Sequence, residues 1–317
     1  MAQSAVFKIC ISVSLCLIGI FLLSKLKTEE TTAHLELRES DENIWQQAMK
    51  RLGIQDGSNI KLRESNVNTW KQAMKKHGIK NGSSTKDDCA SLFEDAKTKL
   101  TDLSESYARR NAAFNTHLME NEEYKVTEGH TGTQREQQLF YWILGGMPSV
   151  RTICEIGFNA GHSALVWLES NPNVHLYSFD INAHKYTSFM ASYLKEVYPQ
   201  RFDIFFGRSD TVIPTISHKE RISCDILVVD GGHGKDQALK DIVNMKRFAH
   251  NDSLLIVDDT AYGAGYSDPV MASVNKLLSC NFISVQYMCS YAKKRGRGFS
   301  LFTYNPNNSD NCVFTIS

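Results

Sequence analysis

Neither sign of charge dominates this chain, whose 317 residues carry 35 Lys and Arg against 35 Asp and Glu. A neutral protein without a long Lys/Arg tract has no electrostatic footprint for nucleic acid, so no nucleic-acid partner is expected. The short cluster Lys293-Lys294-Arg295 with Arg297 reads as a solvated loop rather than a phosphate site. No two of the eight cysteines stand in a C-x-x-C pair, which removes the usual argument for zinc. Also missing is the G-x-G-x-x-G run of a dinucleotide-binding turn.

Charge is missing in one more place, and there the absence is informative. From Ile9 to Ser24 no residue is charged, and Lys8 and Lys25 flank the run. As a helix this core spans ~24 Å at ~1.5 Å per residue, enough for a bilayer once the flanks contribute. No small-x-small cleavage site follows Leu23, so the segment reads as an uncleaved signal anchor, with secretion after cleavage as the alternative. Lysines on both sides leave orientation to other signals. Three acceptor triplets for N-glycosylation, at Asn81, Asn251 and Asn307, favour a type II protein facing the ER or Golgi lumen. Six cysteines outside the anchor suit that compartment. Cys154 and Cys224, in core strands, are expected as buried thiols, and any pairing is expected among Cys89, Cys280, Cys289 and Cys312.

A tandem duplication follows the anchor: Leu37–Ser58 recurs as Leu62–Ser83. Each copy has a serine N-cap (Ser40, Ser65), a tryptophan and a methionine on one helical face, and a glycine stop at Gly53 or Gly78. Two short amphipathic helices cannot enclose a core. The expected organisation is therefore a tip and anchor over 1–26, a stem over 27–88, and a globular domain over 89–317. The tryptophan faces of the stem would dock on that domain or on a second copy, or the stem is a marginally ordered tether.

Within the domain, strand and helix patterns alternate. Apolar strand-like runs occur at Thr152–Ile156, Val174–Phe179, Asp203–Phe206, Asp225–Val229 and Ser253–Val257, with helical patterns between, and two more at Phe282–Tyr287 and Gly298–Tyr304. Such alternation predicts an α/β fold with a Rossmann-like, doubly wound, mostly parallel sheet of seven strands, closed by an antiparallel C-terminal hairpin. The stretch TICEIGFNAGHSALVWL, residues 152–168, then reads as a buried strand, a glycine turn and a helix N-terminus, where a ligand sits on backbone N–H groups. Glycine there allows positive φ and close approach of a ligand. Asp180, ending the next strand, stands where an acid accepts from ribose hydroxyls.

The order Glu155-x-Gly157-x-x-x-Gly161-x-Ser163 resembles motif I of the class I S-adenosylmethionine (SAM) methyltransferases, most closely their catechol O-methyltransferase-like branch. The resemblance covers about 133–304. It implies SAM as cofactor, with Glu155 and Gly157 beside its methionine part, Ser163 on its carboxylate, Asp180 on its ribose, and Asn159 and Gly161 in the same cofactor site. It further implies that Ser209 and Asp210, after the third strand, face the adenine.

Asp230 and the pair Asp258-Asp259 end the fourth and fifth strands. Ends of neighbouring parallel strands converge on one crevice, and carboxylates crowded there repel unless a hard cation joins them. All-oxygen donors suit Mg²⁺, Mn²⁺ or Ca²⁺. The resemblance implies the same three positions as metal ligands, Asp259 replacing the family's asparagine. His233 stands at the offset of the family's catalytic lysine, and Lys235 is the rival base. These features together predict a metal-assisted O-methyltransferase acting on a hydroxyl-bearing small molecule, glycan or lipid. The competing readings are a catalytically inactive binding module anchored to the membrane, and another metal-dependent enzyme, such as a hydroxylase, on the same fold.

Overall fold

The computed structural model describes residues 70, 72, 105–120, 131–216, 222–290 and 297–305. The anchor over 1–26 and nearly all of the stem over 27–88 lie outside these residues. Among the described residues no helix is long and apolar enough to cross a membrane.

Helix α1 (Glu105–Met119) precedes a short 3-10 turn at Thr131–Thr133 and helix α2 (Arg135–Gly145). Then come β1 (Thr152–Ile156), α3 (His162–Ser170), β2 (His175–Asp180), α4 (Lys185–Val197), β3 (Phe202–Phe206) and α5 (Ser209–Thr215). The second half holds β4 (Cys224–Val229), α6 (Gln237–Met245), β5 (Ala249–Asp258), α7 (Asp268–Ser279), β6 (Ile283–Ser290) and β7 (Gly298–Tyr304). The strands form a seven-stranded sheet in the order β3-β2-β1-β4-β5-β7-β6. Strands β1 to β5 pair in parallel, while β7 runs antiparallel between β5 and β6.

All six residues of β4 are buried, as expected of a central parallel strand covered on both faces. Side chains alternate along each strand, so the sheet builds two apolar layers. Ile153, Leu176, Ile226 and Ile256 pack under α2 to α4, whereas Ile156, Phe179, Leu227 and Val257 pack under α5 to α7. Trp70, from the second repeat, is buried in the first layer, with 2% of its surface exposed.

One expectation shifts. Cys154 and Cys224, expected as buried thiols, are joined by a disulfide between β1 and β4. Their Cα atoms lie 5.9 Å apart, inside the range a disulfide spans. Cys280 and Cys289 are disulfide-bonded as well.

Strand order reverses at β1, whose carboxyl end lies between those of β2 and β4. That switch point is where a doubly wound sheet opens a crevice.

Candidate active site

A cleft of about 690 Å³ lies over the carboxyl ends of β1, β2, β4 and β5. Of the residues expected from sequence to form a site, Gly157, Asn159, Ser163, Asp180, Ser209, Asp230, His233, Lys235, Asp258 and Asp259 line it, whereas Glu155, Gly161 and Asp210 do not.

The turn after β1 is held by backbone geometry. Gly157 has φ 99°, and a Cβ there would lie 1.7 Å from the carbonyl oxygen of Asp230. The glycine is thus required by the neighbouring strand end, in addition to any ligand. Gly161, at φ 86°, is the N-cap of α3, and a Cβ would strike the Phe158 ring at 2.6 Å. Asn159 also adopts positive φ, and its N–H donates to Oδ2 of Asp180 at 2.8 Å. The N–H of Asn182 donates to Oδ1 at 2.7 Å. Two amides therefore fix the Asp180 carboxylate at the cleft wall, where each oxygen keeps a lone pair for a hydroxyl.

Glu155 sits below this surface, 1% exposed, and accepts from Ser163 Oγ at 3.0 Å and Ser178 Oγ at 2.8 Å. Burial pushes its carboxyl up to about 7, against the pull of those two hydroxyls. Ser163 lines the cleft, yet its hydroxyl proton is committed to Glu155. At the far wall, Asp210 is gripped by Arg208 through Nε at 3.1 Å and Nη2 at 2.7 Å. Ser209 Oγ donates to Asp241 Oδ1 at 2.6 Å.

The three strand-end carboxylates do converge. One oxygen from each of Asp230, Asp258 and Asp259 lies within 4.8 Å of the others. Burial, then the charges of Asp258 and Asp259, raise Asp230 well above the usual carboxylate range. Burial and the Asp259 charge push Asp258 up to about 7, while a hydrogen bond from Gln137 works the other way. The contrast with Asp225, at the opposite end of β4, is instructive. Burial would raise that group too, but His250 and the N–H groups of Arg151 and Thr152 outweigh it and hold the carboxyl below its ordinary value. Asp225 is a structural aspartate with its donors supplied. The three-carboxylate cluster at the other end is not brought down in this way: Gln137 bonds to Asp258 and His233 Nε2 lies 2.7 Å from Asp259 Oδ2, but among the described residues no lysine or arginine pairs with it, and Asp230 and Asp258 stay raised. Crowded oxygen donors short of compensating charge suit a hard divalent cation.

His233 and Lys235 lie on the exposed loop after β4. Because a carboxylate only accepts, the bond to Asp259 puts a proton on His233 Nε2, so the neutral ring carries its lone pair on Nδ1. Tyr266 meets the His233 ring edge-on, 5.7 Å between centroids, and lines the cleft, whereas Tyr262 does not.

Three contributors escaped the sequence. Gln137 is fully buried on α2, where its Nε2 reaches Tyr141 Oη at 3.0 Å and its amide supports Asp258. Asp241 and Gln237 on α6 buttress the Ser209 loop. An i,i+4 pair on a buried helix carries no local signature of a site, and neither does one acid among the polar residues of α6.

Residues 154–260 match the family described as a methyltransferase domain. No curated protein matches the chain in sequence. Among solved structures, the chain resembles the O-methyltransferase TomG from Streptomyces achromogenes, crystallised with SAM, at 16% identity and a TM-score of 0.51 over 61% of this chain and 89% of that one. It also resembles a methyltransferase of Podospora anserina bound to S-adenosylhomocysteine (SAH), at 11% identity and a TM-score of 0.51 over 71% of this chain and 99% of that one. At such identities the likeness speaks for the fold. The family match over 154–260 marks a methyltransferase domain, and the solved structures share its fold.

Proposed function

We propose that the protein transfers a methyl group from SAM to a hydroxyl on its acceptor, assisted by a divalent cation held by Asp230, Asp258 and Asp259. The observation that carries this reading is the convergence of three carboxylates with which, among the described residues, no lysine or arginine pairs, in a cleft at the switch point of a methyltransferase fold. When bound, SAM supplies an electrophilic methyl group on its sulfonium and the cation supplies charge that lowers the pKa of a nearby hydroxyl.

The chain's own residues do the rest. Asp180 holds the ribose, while the turn Gly157–Gly161 receives the methionine end on its backbone. His233 takes the acceptor's proton at Nδ1, its ring fixed by Asp259. Lys235, on the same loop, adds positive charge to the acceptor side. Alignment of hydroxyl oxygen, methyl carbon and sulfur is the main source of rate.

The His233–Asp259 bond favours a second reading, in which Asp259 only orients the histidine and no cation takes part. Methyl transfer from radiolabelled SAM to a panel of catechols, glycans and lipids, run with Mg²⁺ and with EDTA, separates the two. Activity lost in EDTA and restored by Mg²⁺ supports the metal; full activity in EDTA supports the His–Asp pair alone.

The same proposal sets the enzyme in the secretory pathway, held by the Ile9–Ser24 segment and facing the lumen. The Cys154–Cys224 disulfide supports an oxidising compartment. Expressed in animal cells, the protein should resist carbonate extraction and lose mass on deglycosylation. Recovery from the medium without its first residues would make it secreted instead.

A further inference from the structure

Ser209, Gln237 and Asp241 form a small network on the wall of the cleft nearest β3. Asp241 is 1% exposed and does not itself line the cleft; Ser209 and Gln237 do. Oδ1 of Asp241 accepts from Ser209 Oγ at 2.6 Å and from Gln237 Nε2 at 2.9 Å. Gln237 Nε2 also lies 3.3 Å from Ser209 Oγ.

The direction of every bond follows from chemistry. A carboxylate has lone pairs and no proton, so each neighbour must come to it as a donor. Ser209 spends its one hydroxyl proton there and can only accept from its other neighbour. Gln237 must therefore turn its amino end inward, giving one N–H to Asp241 and the other to Ser209. What remains for a ligand is the amide oxygen, Oε1. Burial lifts the Asp241 carboxyl to about 6, against the bonds from Ser209 and Gln237, so it is ionised at neutral pH and the pattern holds.

The network stands beside the proposed ribose position, on the neighbouring strand end. Asp180 ends β2, and β3 is the adjacent strand; Gly207 N–H donates to Asp180 O at 2.8 Å, which brings the Gly207–Ser209 turn beside it. A base attached to a ribose at Asp180 faces this turn. Asp210, the other acid at this place, is committed to Arg208.

Resting on the reading of SAM as cofactor, we infer that Gln237, oriented by Asp241, offers its amide oxygen to the exocyclic amino group of the adenine and so selects a 6-amino over a 6-oxo purine. Gln237 is then the specificity residue and Asp241 a positioning residue that acts through it. A 6-oxo base would set oxygen against oxygen.

The test compares binding of SAH and S-inosylhomocysteine to the full chain by calorimetry, which needs no knowledge of the acceptor. Wild type should prefer SAH by ~10-fold or more, the scale on which a site rejects a ligand lacking one matched polar group. Gln237→Met, at a half-buried position that tolerates an apolar chain of similar length, should bring the two affinities within about threefold. Asp241→Asn should do likewise, because an asparagine can donate as well as accept and frees the Gln237 amide to turn. Equal affinities in wild type, or a full preference surviving in Gln237→Met, would overturn the inference. Absence of SAH binding would instead remove the cofactor reading on which it rests.

Discussion

His233 Nε2 and Asp259 Oδ2 stand 2.7 Å apart, a bond that ties the loop after β4 to the end of β5. It fixes the ring's tautomer and stabilises the imidazolium that forms when Nδ1 takes a proton. His233→Ala is expected to lower methyl transfer by ~10²–10⁴-fold, the usual contribution of a positioned base. SAM affinity should not change, since in the proposed mechanism His233 serves the acceptor and not the cofactor. Steady-state rates and SAM titration of the same preparation check both halves. A normal rate in His233→Ala, with a large loss in Lys235→Ala, would move the role to the lysine.

Gly157 and Asp230 are locked backbone to backbone. A methyl group on Gly157 would overlap the Asp230 carbonyl oxygen, at 1.7 Å, and would sit at φ 99°. Gly157→Ala should therefore destabilise the fold by about 2–4 kcal/mol, in the upper range for single substitutions, and displace Asp230 from its neighbours. Denaturant unfolding measures the first effect. A loss under about 0.5 kcal/mol, the level of an indifferent surface change, would mean that the turn after β1 is not packed against β4 in this way.

Glu155 and Asp258, each raised to about 7, and Asp230, raised well above the usual carboxylate range, set a pH dependence whose sign is definite. Each carboxyl titrates at a higher pH in the folded chain than in the unfolded one. Between the two values the folded state binds more protons, so stability falls as pH rises from about 4.5 through about 7. A bound cation offsets the repulsion that causes part of the fall, and its benefit grows as the ligands ionise. The melting temperature without divalent cations should accordingly drop from pH 5 to 7.5, and the gain on adding Mg²⁺ should widen over the same interval. A gain from Mg²⁺ that is absent at pH 7.5 would remove the cation from this site.

Much of this arrangement was legible in the sequence because buried parallel strands are local patterns. Runs such as CDILVV and SLLIV have apolar residues on both faces and stop at an acid, so strand, boundary and strand-end carboxylate are read together. The convergence of Asp230, Asp258 and Asp259 then follows from topology alone. What was not legible depends on which side chains meet across elements. Glu155 lies beneath the cleft because Ser163 and Ser178, from α3 and β2, close over it. Asp210 turns to Arg208 and Ser209 to Asp241, choices that follow from partners on the loop itself and on α6. The Cys154–Cys224 disulfide joins two strands 70 residues apart in the chain, a contact that no hydropathy pattern specifies.

Binding of SAM to Asp180 is the claim on which the rest depends, and it can be measured without an acceptor or a metal. Titrating SAM into the full chain in a calorimeter should give one site per chain. Asp180→Ala, verified as folded by its melting temperature, should weaken that site by ~1–3 kcal/mol, the worth of hydrogen bonds to a charged group. No binding of SAM or SAH to the wild type, or an unchanged affinity in the folded variant, would contradict the account.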